Sequence, residues 1–110
     1  MPINQTLEQL LSLLRELCRL SNETEWVEFK HNNADPVMIG EYISALANSA
    51  ALMGKQSAYV VWGIEDASHD VIGTQFSPST ATHKQQELES WLLQKMAPKI
   101  DFQFYEFMVV

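Results

Sequence analysis

The sequence predicts a single α+β domain in which about three α-helices cover a mixed β-sheet. Its 110 residues fit one domain with one core. Hydrophobic residues make up 46% and charged residues 19%, which is typical of a globular chain. Segments with the 3.6-residue period of helices alternate with short segments typical of strands. No apolar run approaches the roughly 20 residues that a membrane span needs, so no membrane association is predicted.

The first predicted element is an amphipathic helix over residues 6–20, where leucines recur at helical spacing on one face. Thr6 with Gln9 three residues later is the pattern of a capping box. Leu13 and Leu20 lie off the main apolar stripe. They indicate a second contact surface on this helix, such as one for a partner chain.

A strand over residues 25–30 and a second helix follow. Alternation along the strand places Val27 and Phe29 on one face and Glu28 and Lys30 on the other. After a polar loop, Asp35 and Pro36 are the N-cap and first-turn residues that begin a helix. That helix is predicted to end near residue 50, and Tyr42 is assigned to its apolar face.

The second half of the chain predicts two more strands and a third helix. Residues 57–64 are nearly all apolar, as in a strand covered on both faces. After a polar turn, residues 71–76 are predicted to return as a hairpin, so that segments 26–30, 58–64 and 71–76 share one sheet. A helix is predicted over residues 84–97, stopped at Pro98.

The last segment, residues 102–110, is strand-like up to the end of the sequence. We therefore expect an N-terminal fragment of a longer protein, with a further C-terminal domain. An open-ended strand, together with Leu13 and Leu20, presents apolar surface that a monomer would expose. A homodimer is predicted on these grounds.

Charge and cysteine content bear on function and location. The net charge of −7 disfavours nucleic-acid binding, because Lys and Arg contacts with phosphate supply most of the non-specific affinity. A local basic patch or an acidic metal site remains compatible with it. Cys18, the only cysteine, falls on the apolar face of the first helix and is interpreted as a small hydrophobe. The absence of a disulfide predicts a reducing, cytoplasmic setting.

Three ordered segments carry a family resemblance. The first, residues 23–30, reads ETEWVEFK; the second, residues 43–49, reads ISALANS. The third combines VVWGIED at residues 60–66 with VIG at residues 71–73. In order and spacing they resemble the Schlafen AlbA-type DNA-binding domain family. The family implies helices packed on a mixed sheet, and it occurs in bacterial regulators and helicase-like proteins.

The resemblance implies a nucleic-acid-binding module of a bacterial regulatory protein, and it favours DNA over RNA as the ligand. Lys30 is the candidate phosphate contact, with His31 and Lys55 as its neighbours. The alternative for Lys30 is an ion pair on the strand face with Glu28 or Glu25. We weigh these two interpretations equally.

An enzyme is the second hypothesis, because in Schlafen proteins the related module is a nuclease of structured RNA with a carboxylate triad. The matching positions are Glu23, Glu28 and Asp66. Carboxylates are the ligands that Mg²⁺ and Mn²⁺ prefer, and such ions activate water for phosphodiester cleavage. Glu23 and Glu28 face opposite sides of a straight strand, so they converge only if residues 22–24 bend. The alternatives are solvated acids without a metal, or a dimerisation domain that binds no nucleic acid.

Overall fold

A computed structural model of the protein describes residues 5–20, 25–96 and 100–109. These form three helices and four short strands, so the predicted α+β class is confirmed. No helix in these three ranges is long and apolar enough to cross a membrane. The elements in chain order are α1 (Leu7–Cys18), β1 (Val27–Lys30), α2 (Pro36–Leu52), β2 (Tyr59–Trp62), β3 (Thr82–His83), β4 (Gln86–Glu87) and α3 (Leu88–Lys95).

The central unit is the parallel pair of β1 and β2, joined by α2. The register runs from Val27 opposite Tyr59 to Lys30 opposite Trp62. Parallel neighbours need a crossover connection, and α2 supplies it. The predicted pairing of the first two strand segments is therefore confirmed.

The predicted third strand, residues 71–76, is wrong. In this segment only Val71 forms a bridge, to Ile64, and no ladder follows. The next two backbone N–H groups, of Ile72 and Gly73, both donate to the carbonyl oxygen of Gly63, at 2.8 and 3.0 Å. The returning chain folds onto this one carbonyl instead of running along β2.

Gly63 makes that close approach possible. Gly63 has φ of 93°, in the region that favours glycine. A Cβ on Gly63 would lie 3.1 Å from the carbonyl carbon of Gly73, tighter than ordinary packing. Backbone packs on backbone here, so the turn after β2 requires glycine at position 63.

Helix α1 begins as predicted and ends earlier. Its capping box is present: the Gln9 N–H donates to Thr6 Oγ1 at 3.2 Å, and the Thr6 N–H donates to Gln9 Oε1 at 2.8 Å. The helix ends at Cys18. Leu13 and Leu20 are partly buried against the protein's own core. The surface they were expected to offer a partner is therefore largely used within the chain.

Two apolar clusters flank the sheet. The α1 core lies between α1 and one face of the strands, and consists of Leu14, Leu17, Val27, Phe29 and Ile64. The helix core lies between α2 and α3, and consists of Ile39, Leu88, Trp91 and Leu92. Trp62 of β2 packs against the helix core, whereas its neighbour Val61 packs against the α1 core, as strand alternation requires.

The predicted third helix is too long at its start. Residues 82–87 form a hairpin in which β3 and β4 pair antiparallel. Lys84 and Gln85 have φ of 52° and 64° at its turn, which a right-handed helix cannot accommodate. Helix α3 spans Leu88–Lys95, and the predicted stop at Pro98 lies outside the described residues.

No strand is assigned within residues 100–109, where one was predicted. The segment is anchored by Glu106, whose carboxylate accepts from the Ser79 N–H at 2.8 Å and from Ser77 Oγ at 3.1 Å. The backbone N–H of Ser79 is the main cause that lowers the pKa of Glu106. Phe102 and Phe104 pack against the helix core. The homodimer stays a prediction. Of the apolar surface that this segment was expected to offer a partner chain, only the end near Met108 is exposed.

Candidate nucleic-acid interface

Two lysines singled out by the sequence lie near opposite ends of β1, each over an aromatic ring. Lys30 Nζ is 4.9 Å from the ring centroid of Tyr42. Lys55 Nζ is 5.1 Å from the ring centroid of Trp26. Both distances fall within the roughly 6 Å of a cation–π contact. Trp26 precedes β1 and Lys30 ends it, so about 13 Å of extended chain separates them.

The two lysines and the rings beneath them, Tyr42 and Trp26, form what we call the strip along β1. Helix α2 brings Tyr42 and Lys55 to this strip. Asp35 caps its start by accepting from the Val37 N–H at 3.3 Å, and Pro36 occupies the first turn. Because α2 crosses over between parallel strands, it runs back along β1. Its second turn, with Tyr42, therefore lies by Lys30 at the end of β1, and its C-terminus lies by Trp26 at the beginning.

The C-terminus of α2 fixes where Lys55 points. Gly54 adopts φ of 71°. The Lys55 N–H donates back to the Ala50 carbonyl at 2.8 Å, and the Gly54 N–H donates to the Ala51 carbonyl at 3.2 Å. These two bonds are the Schellman pattern that ends a helix and reverses the chain. The reversal carries Lys55 to Trp26.

Lys30 also has an acidic neighbour on its own strand. Its Nζ lies 3.6 Å from Glu28 Oε2, and the two side chains are 25% and 23% exposed. Glu28 and Lys30 alternate with Val27 and Phe29, so both face away from the α1 core. The ion pair weighed as the alternative for Lys30 is thus present, in addition to the contact with Tyr42.

His31 follows β1 directly and is exposed. Its Nε2 lies 3.5 Å from Asn32 Nδ2. Asn32 Oδ1 accepts at 2.8 Å from both Thr74 Oγ1 and the Gln75 N–H, which ties this loop to the segment after Gly73. His31 therefore sits on an anchored loop at the Lys30 end of the strip, whereas Lys55 lies at the other end.

The predicted carboxylate triad is described only in part. Glu23 lies outside the described residues. Glu28 is engaged with Lys30, and Asp66 is exposed in the turn after Ile64. Within residues 5–20, 25–96 and 100–109, no three or more His, Cys, Asp or Glu side chains group so that they could hold a metal ion. The Mg²⁺ or Mn²⁺ site stays a prediction, and it needs Glu23.

The neighbouring acid Glu65 closes the turn. Its Oε2 accepts from the Ser68 N–H, at 2.6 Å, and this bond is the main cause that lowers the pKa of Glu65. At the end of α1, burial raises the pKa of the Cys18 thiol. A raised pKa leaves less thiolate, which agrees with the interpretation of Cys18 as a small hydrophobe.

The sequence analysis missed the two rings. Tyr42 was assigned to the apolar face of α2, and Trp26 entered only as part of the segment ETEWVEFK. Both are partly buried, and neither is among the fully buried side chains of the two cores. No local pattern marks them, because each ring comes near its lysine only when α2 folds back along β1.

Comparison with known proteins gives a family match that includes every residue of this strip. The family model described as Schlafen, AlbA_2 matches residues 23–110. The matched region contains both lysines, both rings and Asp66, and it leaves α1 outside. No curated protein and no solved structure gives a significant match to the chain.

Proposed function

This chain belongs to the Schlafen, AlbA_2 family, and from that premise we propose that it is a nucleic-acid-binding module of a bacterial regulatory protein, with DNA as the first candidate. The observation that carries the proposal is the strip along β1, where Lys30 and Lys55 each lie over an aromatic ring. Cations and aromatic rings together are what a nucleic-acid site uses to contact phosphates and bases.

The lysines are suited to exchange one contact for another. A lysine ammonium is a compact charge on a flexible stem, and the worth of an exposed cation–π contact is only about 0.5–1 kcal/mol. A phosphate can therefore draw Lys55 from Trp26 at small cost, whereas Lys30 must also leave Glu28, whose Oε2 lies 3.6 Å from its Nζ. The net charge of −7 means that this contact acts against the overall field of the protein. We expect weak, salt-sensitive binding by this segment.

The test is fluorescence anisotropy with labelled oligonucleotides over a series of salt concentrations. Lys30→Gln and Lys55→Gln should each weaken binding. Each should also reduce the slope of log K against log salt by about 0.7 to 0.9, the contribution of one phosphate contact. Lys84→Gln is the matched control, because it removes the same charge at the turn between β3 and β4, which form a separate sheet from β1 and β2.

Two outcomes would contradict the proposal. One is the absence of binding to any oligonucleotide at low salt. The other is an equal loss from Lys84→Gln, which would mean that total charge rather than the strip governs the interaction.

A further inference from the structure

We infer that the strip along β1 binds single-stranded nucleic acid in preference to duplex, with bases stacked on Trp26 and Tyr42. The inference rests on the proposed function and specifies its ligand. It depends on the two rings, the acid between the lysines, and the charge of the chain. DNA and RNA strands share the chemistry involved, so the test includes both.

The rings are placed as stacking surfaces. Each is partly exposed and has a lysine ammonium over it, 4.9 Å from the Tyr42 centroid and 5.1 Å from the Trp26 centroid. Trp26 is also held edge-on by Tyr59, at 6.2 Å between centroids and 65° between planes. Trp26 also packs against the α1 core, and these contacts fix the orientation of its ring. When phosphate takes the lysine, a base can occupy the ring face that the ammonium covered.

Only a single strand presents base faces to such rings. In a duplex the faces are stacked on one another, and a protein reaches base edges and phosphates instead. Single-strand sites combine lysines or arginines that follow the backbone with aromatic side chains that take successive bases. The strip has both components at each end of β1.

Glu28 gives an independent reason. It lies on the strip beside Lys30, with its carboxylate 3.6 Å from the Lys30 ammonium. Duplex DNA carries one negative charge per about 1.7 Å of its axis, so a duplex laid along β1 would bring several phosphates past this carboxylate. A single strand is flexible and can turn a base towards Glu28, leaving its phosphates at the two lysines.

The net charge of −7 acts in the same direction. Repulsion between protein and ligand grows with the charge density of the ligand, and the duplex has the greater density. Base stacking is much less sensitive to this repulsion because it is not a charge–charge interaction. A site on an acidic protein therefore gains more from rings than from additional phosphate contacts.

The experiment compares one oligonucleotide sequence as single-stranded DNA, single-stranded RNA and duplex DNA, by anisotropy with the full chain. We expect the single-stranded DNA and the single-stranded RNA each to bind at least about tenfold more tightly than the duplex, because their bases can stack on the two rings. Tyr42→Leu and Trp26→Leu should each weaken single-strand binding by about fivefold to a hundredfold and weaken duplex binding far less. Tyr42→Phe and Trp26→Phe keep a ring and should retain most of the affinity.

Tryptophan fluorescence gives a second readout, and it needs no variant in which the aromatic ring is removed. Single strands should quench the tryptophan fluorescence of the unmutated chain, and Trp26→Phe should remove the quenching. The other two tryptophans are packed in the protein: Trp91 is 8% exposed, and Trp62 donates from Nε1 to the Asn33 carbonyl at 2.7 Å.

The outcomes separate this inference from the proposed function. Equal affinity for duplex and single strand, equal effects of the Leu and Phe variants, or quenching that persists in Trp26→Phe would overturn the inference and leave a nucleic-acid-binding module. Binding of none of the three oligonucleotides would overturn both.

Discussion

The two faces of β1 separate buried core residues from residues of the proposed binding strip within four positions. On the face towards α1, Val27 and Phe29 are each 1% exposed and belong to the α1 core. On the other face, Glu28 and Lys30 are 23% and 25% exposed and contact each other and Tyr42. Consecutive residues of one strand thus lie in opposite environments, so substitutions on the two faces should have separable effects.

The largest effect is expected on the buried face. Phe29→Ala should lower the free energy of unfolding by about 3–5 kcal/mol, because it leaves a cavity beneath α1. The ring also loses its contact with His69, at 4.5 Å between centroids. Thermal or denaturant unfolding measures the loss. Lys30→Ala on the other face is the matched comparison and should change stability far less; similar losses from both would refute the division.

The next effect concerns the turn that holds the loop after β1 in place. Gly63→Ala should destabilise the fold by roughly 1–3 kcal/mol, because alanine disfavours the φ of 93° and its Cβ would press on Gly73. Gly54→Ala is an informative control, since φ is also positive there but nothing lies within 4 Å of the added Cβ. If the two variants unfold alike, the close approach contributes nothing beyond backbone conformation.

A smaller effect is expected on the exposed face of β1, where a substitution should strengthen binding instead of weakening stability. Glu28→Gln should strengthen binding of a single-stranded oligonucleotide, because it releases Lys30 from its ion pair and removes a charge that repels phosphate. The gain should be about two- to fivefold, since pairs near the surface contribute at most about 1 kcal/mol. Anisotropy measures the change, and Glu41→Gln on α2 controls for net charge. Weaker binding by Glu28→Gln would mean that this carboxylate serves the ligand directly.

The same variant tests the enzyme hypothesis. If Glu23, Glu28 and Asp66 hold Mg²⁺ or Mn²⁺, the ion should raise the melting temperature of the unmutated chain by preferring the native state. Glu28→Gln should abolish that rise. Because Glu28 is engaged with Lys30, we expect the ions to leave both melting temperatures unchanged. A rise that is lost in Glu28→Gln would favour a metal-dependent nuclease over a binding module.

Features that depend on residues close in sequence were predicted correctly, whereas features that depend on contacts made in the folded structure were not. The capping box at Thr6 and the start of α2 at Asp35 were predicted, because caps depend on residues two or three apart. The strand predicted over residues 71–76 failed because its backbone is taken by the carbonyl of Gly63. The helix predicted from residue 84 failed because its apolar period was continued into a hairpin turn with positive φ at Lys84.

The sequence by itself determined the α+β class, the family, the inward faces of the helices and strands, and Lys30 and Lys55 as candidates. Each depends on a local period or a motif that is read along the chain. Only the tertiary structure decided that Lys30 meets Glu28 and Tyr42, and that Lys55 meets Trp26. The physical reason is the crossover: α2 folds back along β1 and brings together residues that are distant in sequence, which no local pattern records.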